Sequence, residues 1–461
     1  MLVPKLEKSL GIEVYATCSL GIGGAIRRNF EDFVVEEVLV DESRAAVYDT
    51  EAYAKKTVLG SSSTKNRYLL CVLIKRNWDT FIALQNIAQQ LGIYPKQIQI
   101  AGIKDAKAVT SQHITIEGIA AKDLQKLNLK DIEVRSIGYL RTKLSPYYLL
   151  GNNFHVRIKN IKHSKTTIKK RTAKTIEELN TLGGIPNFFG HQRFGTTRPI
   201  THLVGKAIVN GNLKKAAMLF LAKPSLYEHP LSRQARRELQ ATQDLKQARK
   251  NFPKQLRYER FMLKSLAERP NDFAAAFKRL PLKLRELFTQ AYQSYLFNRF
   301  LSARIKNGLS LKKAEVGDYV ASVEHSGLPM SKIYKTITSE NLAQMNNAIE
   351  KERMRLAVPL IGFKQRTSQG IQGDIEHRIL EEEGVSPQDF KFVPIPEMSS
   401  KGQLRAIVSP VKNLSLNLVV SDKNAVRDRT LKADFMLQRG SYATIVLREL
   451  MKPRNPVRAG F

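Results

Sequence analysis

Gln97-Ile98-Gln99-Ile100, then Ala101-Gly102-Ile103-Lys104-Asp105-Ala106-Lys107-Ala108-Val109-Thr110-Ser111-Gln112, then His113-Ile114-Thr115-Ile116: two alternating apolar runs enclose a polar loop led by glycine. Alternation with period two marks a half-buried strand, so the stretch is expected to fold as strand, loop, strand. The loop carries one carboxylate, Asp105, between Lys104 and Lys107. Two readings fit it. An Asp after Gly is common as a turn or N-cap residue. Alternatively, the loop presents a carboxylate whose ionised form neighbouring cations and hydrogen-bond donors favour, as functional carboxylates require.

The 461 residues suggest about three domains and leave room for a large core. A hydrophobic fraction of 43% and a charged fraction of 25% are those of a globular protein. No run approaches a membrane span, and Met1-Leu2-Val3-Pro4-Lys5-Leu6-Glu7-Lys8 lacks the apolar centre of a secretion signal. A cytoplasmic protein is expected. Cys18 and Cys71 are too few for a disulfide framework, and reduced, buried thiols are expected. The eight histidines show no metal-ligand spacing, so no metal is expected. The formal charge of +33 points to a polyanionic partner, and nucleic acid is the usual one. Basic residues spread over the whole chain, so a large folded partner crossing a broad surface is expected.

Taken in order, Gly21-Ile22-Gly23-Gly24-Ala25-Ile26 lacks the final Gly of a dinucleotide fingerprint and no nucleotide cofactor is assigned to it. Asn29-Phe30-Glu31-Asp32-Phe33 turns into a strand through Val40. Glu36 and Glu37, adjacent on that strand, point to opposite faces, and a solvated edge is expected for them. Residues 41–66 read as a polar insertion or loop. Strands are expected at 67–75, 132–139 and 154–159, and helices at 80–91 and 173–182. Residues 1–185 thus form an α+β pattern. Asn187-Phe188-Phe189-Gly190-His191-Gln192-Arg193-Phe194-Gly195 reads as a packed loop. Residues 200–395 read as mostly helical, with helices at 204–222, 231–250, 258–267, 282–306 and 340–351. Strand pattern returns after Arg405, which makes the helical middle an insertion into one domain. Lys452 to Phe461 reads as a frayed basic tail.

Six blocks together resemble the TruD family of tRNA pseudouridine synthases in its archaeal and eukaryotic form. They are Asn29 to Phe33, Gly102 to Gln112, Gly151-Asn152-Asn153-Phe154, Pro186 to Gly195, Gln293-Ser294-Tyr295-Leu296-Phe297-Asn298, and Gly440-Ser441-Tyr442-Ala443-Thr444 with Arg448-Glu449-Leu450. They stand in the family's order over nearly the whole chain. The resemblance implies an α+β pseudouridine-synthase catalytic domain with a mixed or antiparallel sheet, interrupted by a mainly helical TRUD insertion domain. The expected bounds are 1–186 and 401–461 for the catalytic domain and 187–400 for the insertion. The resemblance puts the catalytic aspartate on Asp105 and substrate contacts on Phe33, Asn152, Phe154 and Tyr442. Arg27 stands where bacterial members have Lys, and Phe30 replaces the Pro usual in its block.

Pseudouridylation breaks the uridine C1′–N1 bond and rejoins the base through C5. Nothing is oxidised and no group is lost, so no cofactor is expected. It needs a carboxylate at the ribose or base, which Asp105 would supply with Arg27 as its cation. It also needs the base out of its stack, with aromatic walls to receive it. The partner implied is tRNA, at uridine 13, with other structured RNAs allowed, no membrane, and a monomeric enzyme. Two rivals differ in kind: a non-catalytic structured-RNA-binding protein of the same fold, and a DNA-binding protein, for which no helix–turn–helix or zinc module is visible.

Overall fold

The structure is a computed structural model that describes residues 2–48, 57–420 and 429–461. Two compact units emerge. One comprises residues 17–185 and 409–460, the other residues 1–16, 186–408 and 461. The first sixteen residues group with the middle of the chain. Gly11 O accepts from Ser302 Oγ, and Leu10 O from Asn298 Nδ2. Those bonds tie α1 (Lys5–Lys8) and the turn after it to the long helix described below.

The first unit is built on one sheet. Its strands are β1 (Phe33–Leu39), β2 (Tyr68–Arg76), β3 (Ile98–Ile100), β4 (Val109–Glu117), β5 (Ile132–Leu140) and β6 (Leu149–Ile161). Helices α2 (Thr80–Leu91) and α3 (Lys165–Thr181) join them, and β7 (Ile185–Pro186) ends this pass. The order β13-β14-β6-β1-β4-β2-β5 uses two strands that come back from the C-terminal end of the chain, β13 (Val411–Val420) and β14 (Arg429–Gln438). β3 pairs with β4 off this path. β1 and β4 run parallel and the other pairs antiparallel, so the sheet is mixed. α2 begins where Asp79 Oδ1 accepts from Phe81 N and Ile82 N at 2.8 and 3.1 Å, a side-chain N-cap. Its Leu84, Ile87, Ala88 and Leu91 pack on Leu69, Cys71, Leu73, Ile114 and Ile116 of β2 and β4. One face of the strand–loop–strand segment is thereby sealed.

β1 lies inside the sheet, between β6 and β4. The solvated edge expected for Glu36 and Glu37 is therefore corrected: both are buried, on opposite faces. Glu36 is met by Arg44 and by His155 of β6, and Glu37 by Lys104 of the β3–β4 loop and His113 of β4, partners mostly far along the chain that no local pattern reveals. The frayed tail is corrected as well. After α13 (Ala443–Met451), Lys452 Nζ donates to the carbonyls of Thr17 and Ser19 at 2.6 and 2.5 Å. Ile26 N donates to Ala459 O at 2.9 Å. Gly460, at φ +93°, lies so close to Ile26 that any Cβ would fall 2.1 Å from its carbonyl oxygen. Cys71 is buried, whereas Cys18 is exposed and corrects the expectation of two buried thiols.

The second unit holds the helices α4 (Thr201–Val209), α5 (Leu213–Ala222), α6 (Pro230–Thr242), α7 (Leu245–Asn251), α8 (Arg257–Glu268), α9 (Phe273–Lys278) and α10 (Leu282–Lys306). Val204, Leu221, Met262, Phe277 and Phe288 share their core. Tyr292, Phe297 and Phe300 of α10 are wholly buried and Tyr295 is half-buried. The helix expected over 204–222 is broken at Asn210-Gly211-Asn212, because Asn212 caps Lys215 N and Gly211 takes φ +74°. That over 231–250 is broken by Gln243 at φ 53° and by Asp244, which caps Lys246 N and Gln247 N.

A four-stranded antiparallel sheet also stands in this unit, in the order β11-β10-β8-β9. Its strands are β8 (Tyr319–Val323), β9 (Pro329–Thr336), β10 (Met354–Leu360) and β11 (Gln403–Ala406). The mostly helical reading missed it because β8 is short, β9 is an edge strand carrying Lys332 and Lys335, and β10 contains Pro359. α11 (Leu342–Glu350), α12 (Gly370–Glu383) and the two-residue β12 (Val408–Ser409) complete the chain order. The Asn187–Gly195 loop is packed: Phe188 and Phe194 are wholly buried, and Arg405 lies 4.0 Å over the Phe189 ring.

Candidate active site

β6 and β1 carry three of the candidates. Antiparallel pairing sets Phe154 opposite Val35, Phe33 opposite Val156 and Asn152 opposite Glu37. Residues opposite one another share a face, so Phe33, Phe154 and Asn152 stand on one side of the sheet. Phe33 and Phe154 meet edge to face at 6.1 Å, and Phe154 stacks on Phe435 of β14 at 5.4 Å. Gly151 precedes Asn152 because a Cβ there would fall 2.1 Å from Leu437 O of β14. The Asn152 Oδ1 is buried and has no hydrogen-bond partner among the described residues.

The turn before Phe33 is held by Asn29 N donating to Asp32 Oδ2 at 2.9 Å, and Asp32 also pairs with Lys159 at 2.7 Å. Phe30 in place of Pro thus leaves Phe33 in register. Arg27 precedes this turn at φ 54°, a left-handed conformation uncommon for a side-chain-bearing residue. Its guanidinium lies 4.0 Å over the Phe33 ring, and its Nη1 donates to Gly460 O at 3.4 Å. Its Nη2 comes 3.6 Å from Asp105 Oδ2. Burial pulls the Arg27 pKa below its ordinary value, and the Asp105 charge opposes that pull.

Asp105 sits in the loop between β3 and β4 with its side chain 38% exposed. The loop around it is held from several sides. Lys104 Nζ pairs with Glu37 Oε1 at 2.6 Å, both buried. Burial pushes the Glu37 pKa up, but Lys104 and His113 outweigh it and hold the carboxyl below the usual range. Thr80 Oγ1 donates to Lys104 O at 3.1 Å. Gln112 Nε2 donates to Gly102 O at 3.0 Å. Lys75 Nζ donates to Asp105 O at 2.7 Å and to Trp78 O at 2.8 Å. The result is an accessible carboxylate on a loop whose backbone carbonyls at residues 102, 104 and 105 are held by hydrogen bonds, which is what a reacting group needs to hold one direction.

Contacts therefore run from Asp105 to Arg27, to Phe33, to Phe154. Asn152 joins them by its face on β6. Tyr442 arrives separately: β14 pairs Leu437 with Asn152 and Gln438 with Gly151, and the chain then turns into α13. Tyr442 is half-buried there, and Ile445 N donates to its carbonyl at 3.0 Å. Sequence reasoning missed Lys75, Glu37 and Thr80. The one available signal was a lysine ending the otherwise apolar run Tyr68 to Ile74. Among the described residues, no three His, Cys, Asp or Glu gather as a metal-binding set.

A family model described as tRNA pseudouridine synthase D (TruD) matches residues 9–450. The chain belongs to the TruD family of tRNA pseudouridine synthases. A curated relative named probable tRNA pseudouridine synthase D, from Methanosarcina barkeri, is 40% identical over 98% of each chain. One of the same name from Thermococcus onnurineus is 37% identical over 94% of this chain and 95% of its own. A crystal structure assigned to tRNA pseudouridine synthase D from Methanosarcina mazei superposes with a TM-score of 0.82 at 37% identity, covering 98% of this chain and 99% of that one. Family membership makes this chain an isomerase with the α+β fold of a pseudouridine synthase.

Proposed function

We propose that the chain converts uridine 13 of tRNA to pseudouridine, with Asp105 as the catalytic carboxylate. Residues 17–185 and 409–460 serve as the catalytic domain and the helical unit as the TRUD insertion. The observation that carries the reading is the Asp105 carboxylate, exposed on a loop whose backbone is clamped from within and with a largely buried guanidinium at 3.6 Å. Nucleophilic attack on C1′ or C6 and abstraction of a ribose proton all need the carboxylate in this one place, next to the sugar and base. The C1′–N1 bond breaks, the C1′–C5 bond forms, N1 gains a proton and C5 loses one.

The target base has to leave its stack, which costs a few kcal/mol. Phe33 and Phe154 are 1% and 6% exposed, so they act as the wall that carries Arg27, not as open platforms. Tyr442, half-buried, is the aromatic that receives the flipped base. The unpaired Asn152 Oδ1 accepts from ribose or base. Exposed lysines and arginines bind phosphates.

The test is carbodiimide-dependent primer extension on a tRNA transcript. A stop at position 13 with wild type, none with Asp105→Asn, and equal tRNA affinity for both are expected. Equal product from Asp105→Asn would contradict the role of Asp105. Binding by wild type without product would favour a non-catalytic RNA-binding protein.

A further inference from the structure

Lys75 is the eighth of nine residues of β2 and is 0% exposed. A buried ammonium needs acceptors to replace its water. Two carbonyls do so. The bond to Trp78 O is local, three residues along the chain. The bond to Asp105 O, at 2.7 Å, spans thirty residues and lands on the main chain of the residue that bears the exposed carboxylate. Of the bonds that hold this loop, those of Gln112, Thr80 and Glu37 act on residues 102 and 104. Lys75 acts on residue 105 itself.

We propose that Lys75 is a positioning residue for the isomerisation: its ammonium grips the Asp105 carbonyl and thereby sets the direction in which the carboxylate leaves the loop. The inference rests on Asp105 being the catalytic carboxylate. Without the ammonium, the peptide plane of residue 105 loses its buried acceptor contact and can rotate, and a misplacement of about 1 Å can cost about 10²-fold in rate. The charged groups that act on Lys75 are Asp105 and Asp79, which favour its charge, and Lys104, which opposes it. Burial is the strongest influence and brings its pKa down to about 8. Turnover therefore falls as pH rises through that value, because a neutral amine is the weaker donor.

Single-turnover rates at saturating enzyme, from pH 6 to 9, test this with wild type, Lys75→Arg, Lys75→Met and Asp105→Asn. Affinity for tRNA and thermal unfolding are measured alongside. Expected are a wild-type rate that falls on the alkaline side, loss of that fall in Lys75→Arg, and a rate at least tenfold lower in Lys75→Met with affinity within twofold. A fully active Lys75→Met, or an alkaline fall that persists in Lys75→Arg, overturns the inference. A wild-type rate that stays level to pH 9 overturns it without any variant, even if Lys75→Met does not fold. Turnover by Asp105→Asn would remove the underlying reading instead. An inactive Asp105→Asn beside a fully active Lys75→Met would remove only the role of Lys75.

Discussion

At the residue scale, Arg27 joins two functions in one side chain, as counter-charge to Asp105 and as cover for Phe33. Removing the guanidinium forfeits a cation–π contact of about 0.5–2 kcal/mol and the charge beside the carboxylate. Arg27→Ala is expected to lower single-turnover rate tenfold or more. Its backbone makes a second prediction. At φ 54° a Cβ is strained by about 1 kcal/mol, so Arg27→Gly should unfold at higher denaturant than Arg27→Ala while being equally slow. A less stable Gly variant would contradict the strain argument. The strand–loop–strand that carries Asp105 was legible from period-two alternation, whereas the catalytic role proposed for Asp105 came from the family resemblance, because the local pattern fits a turn or N-cap residue as well. Lys75 was not legible. Its partner lies thirty residues away, and a lysine at the end of an apolar run reads as the point where a strand meets solvent.

At the scale of elements, charges inside the sheet are the least legible feature and the most consequential. Glu37 on β1 is wholly buried against Lys104 of the β3–β4 loop and His113 of β4. Breaking a buried pair from one side leaves an uncompensated charge and costs about 3–5 kcal/mol. Lys104→Met is expected to lose that much in chemical denaturation, and adding Glu37→Gln should restore most of it. On the opposite face, His155 of β6 lies 2.6 Å from Asp434 of β14 and 3.4 Å from Glu36 of β1. The hydrogen bond to Glu36, with that to Asp434, raises the His155 pKa, although burial lowers it. Its contribution to stability is complete below about pH 6.5, the ordinary value, and disappears as pH rises through the raised one. For Glu36, burial raises the pKa but His155, Val47 N–H and Arg44 outweigh it, so its contribution is lost as pH falls through the lowered value. Unfolding of His155→Asn against wild type should show a difference at pH 6 that shrinks by pH 9, and a constant difference would refute the linkage. Strand pattern located β1 well but only residues 154–159 of β6, which runs Leu149–Ile161. Their neighbours in the sheet, which decide burial, come from residues 109–117 and 429–438 and are set by topology alone.

At the scale of the whole molecule, the charge of +33 was visible at once and bears on what the protein holds. A phosphate-dominated complex releases counterions, so affinity for tRNA should fall by about 10³-fold or more between 50 and 200 mM salt if six or more phosphates are contacted. A nearly flat salt dependence would contradict a broad basic interface. The return of period-two pattern after residue 405 made the C-terminal strands legible, and β13 and β14 lie in the same sheet as β1 to β6. The small sheet of the inserted unit was not legible, since its strands are short, edge-bound or broken by proline.

In the proposed reaction a clamped Asp105 moves the uracil of tRNA from N1 to C5. Tritium release from tRNA carrying [5-³H]uridine tests it most directly, because the C5 hydrogen leaves only when C5 becomes the glycosidic carbon. Release by wild type and none by Asp105→Asn is expected, with tRNA binding equal in the two. Release by both proteins would contradict the role of Asp105, and release by neither, with binding intact, would contradict the catalysis itself.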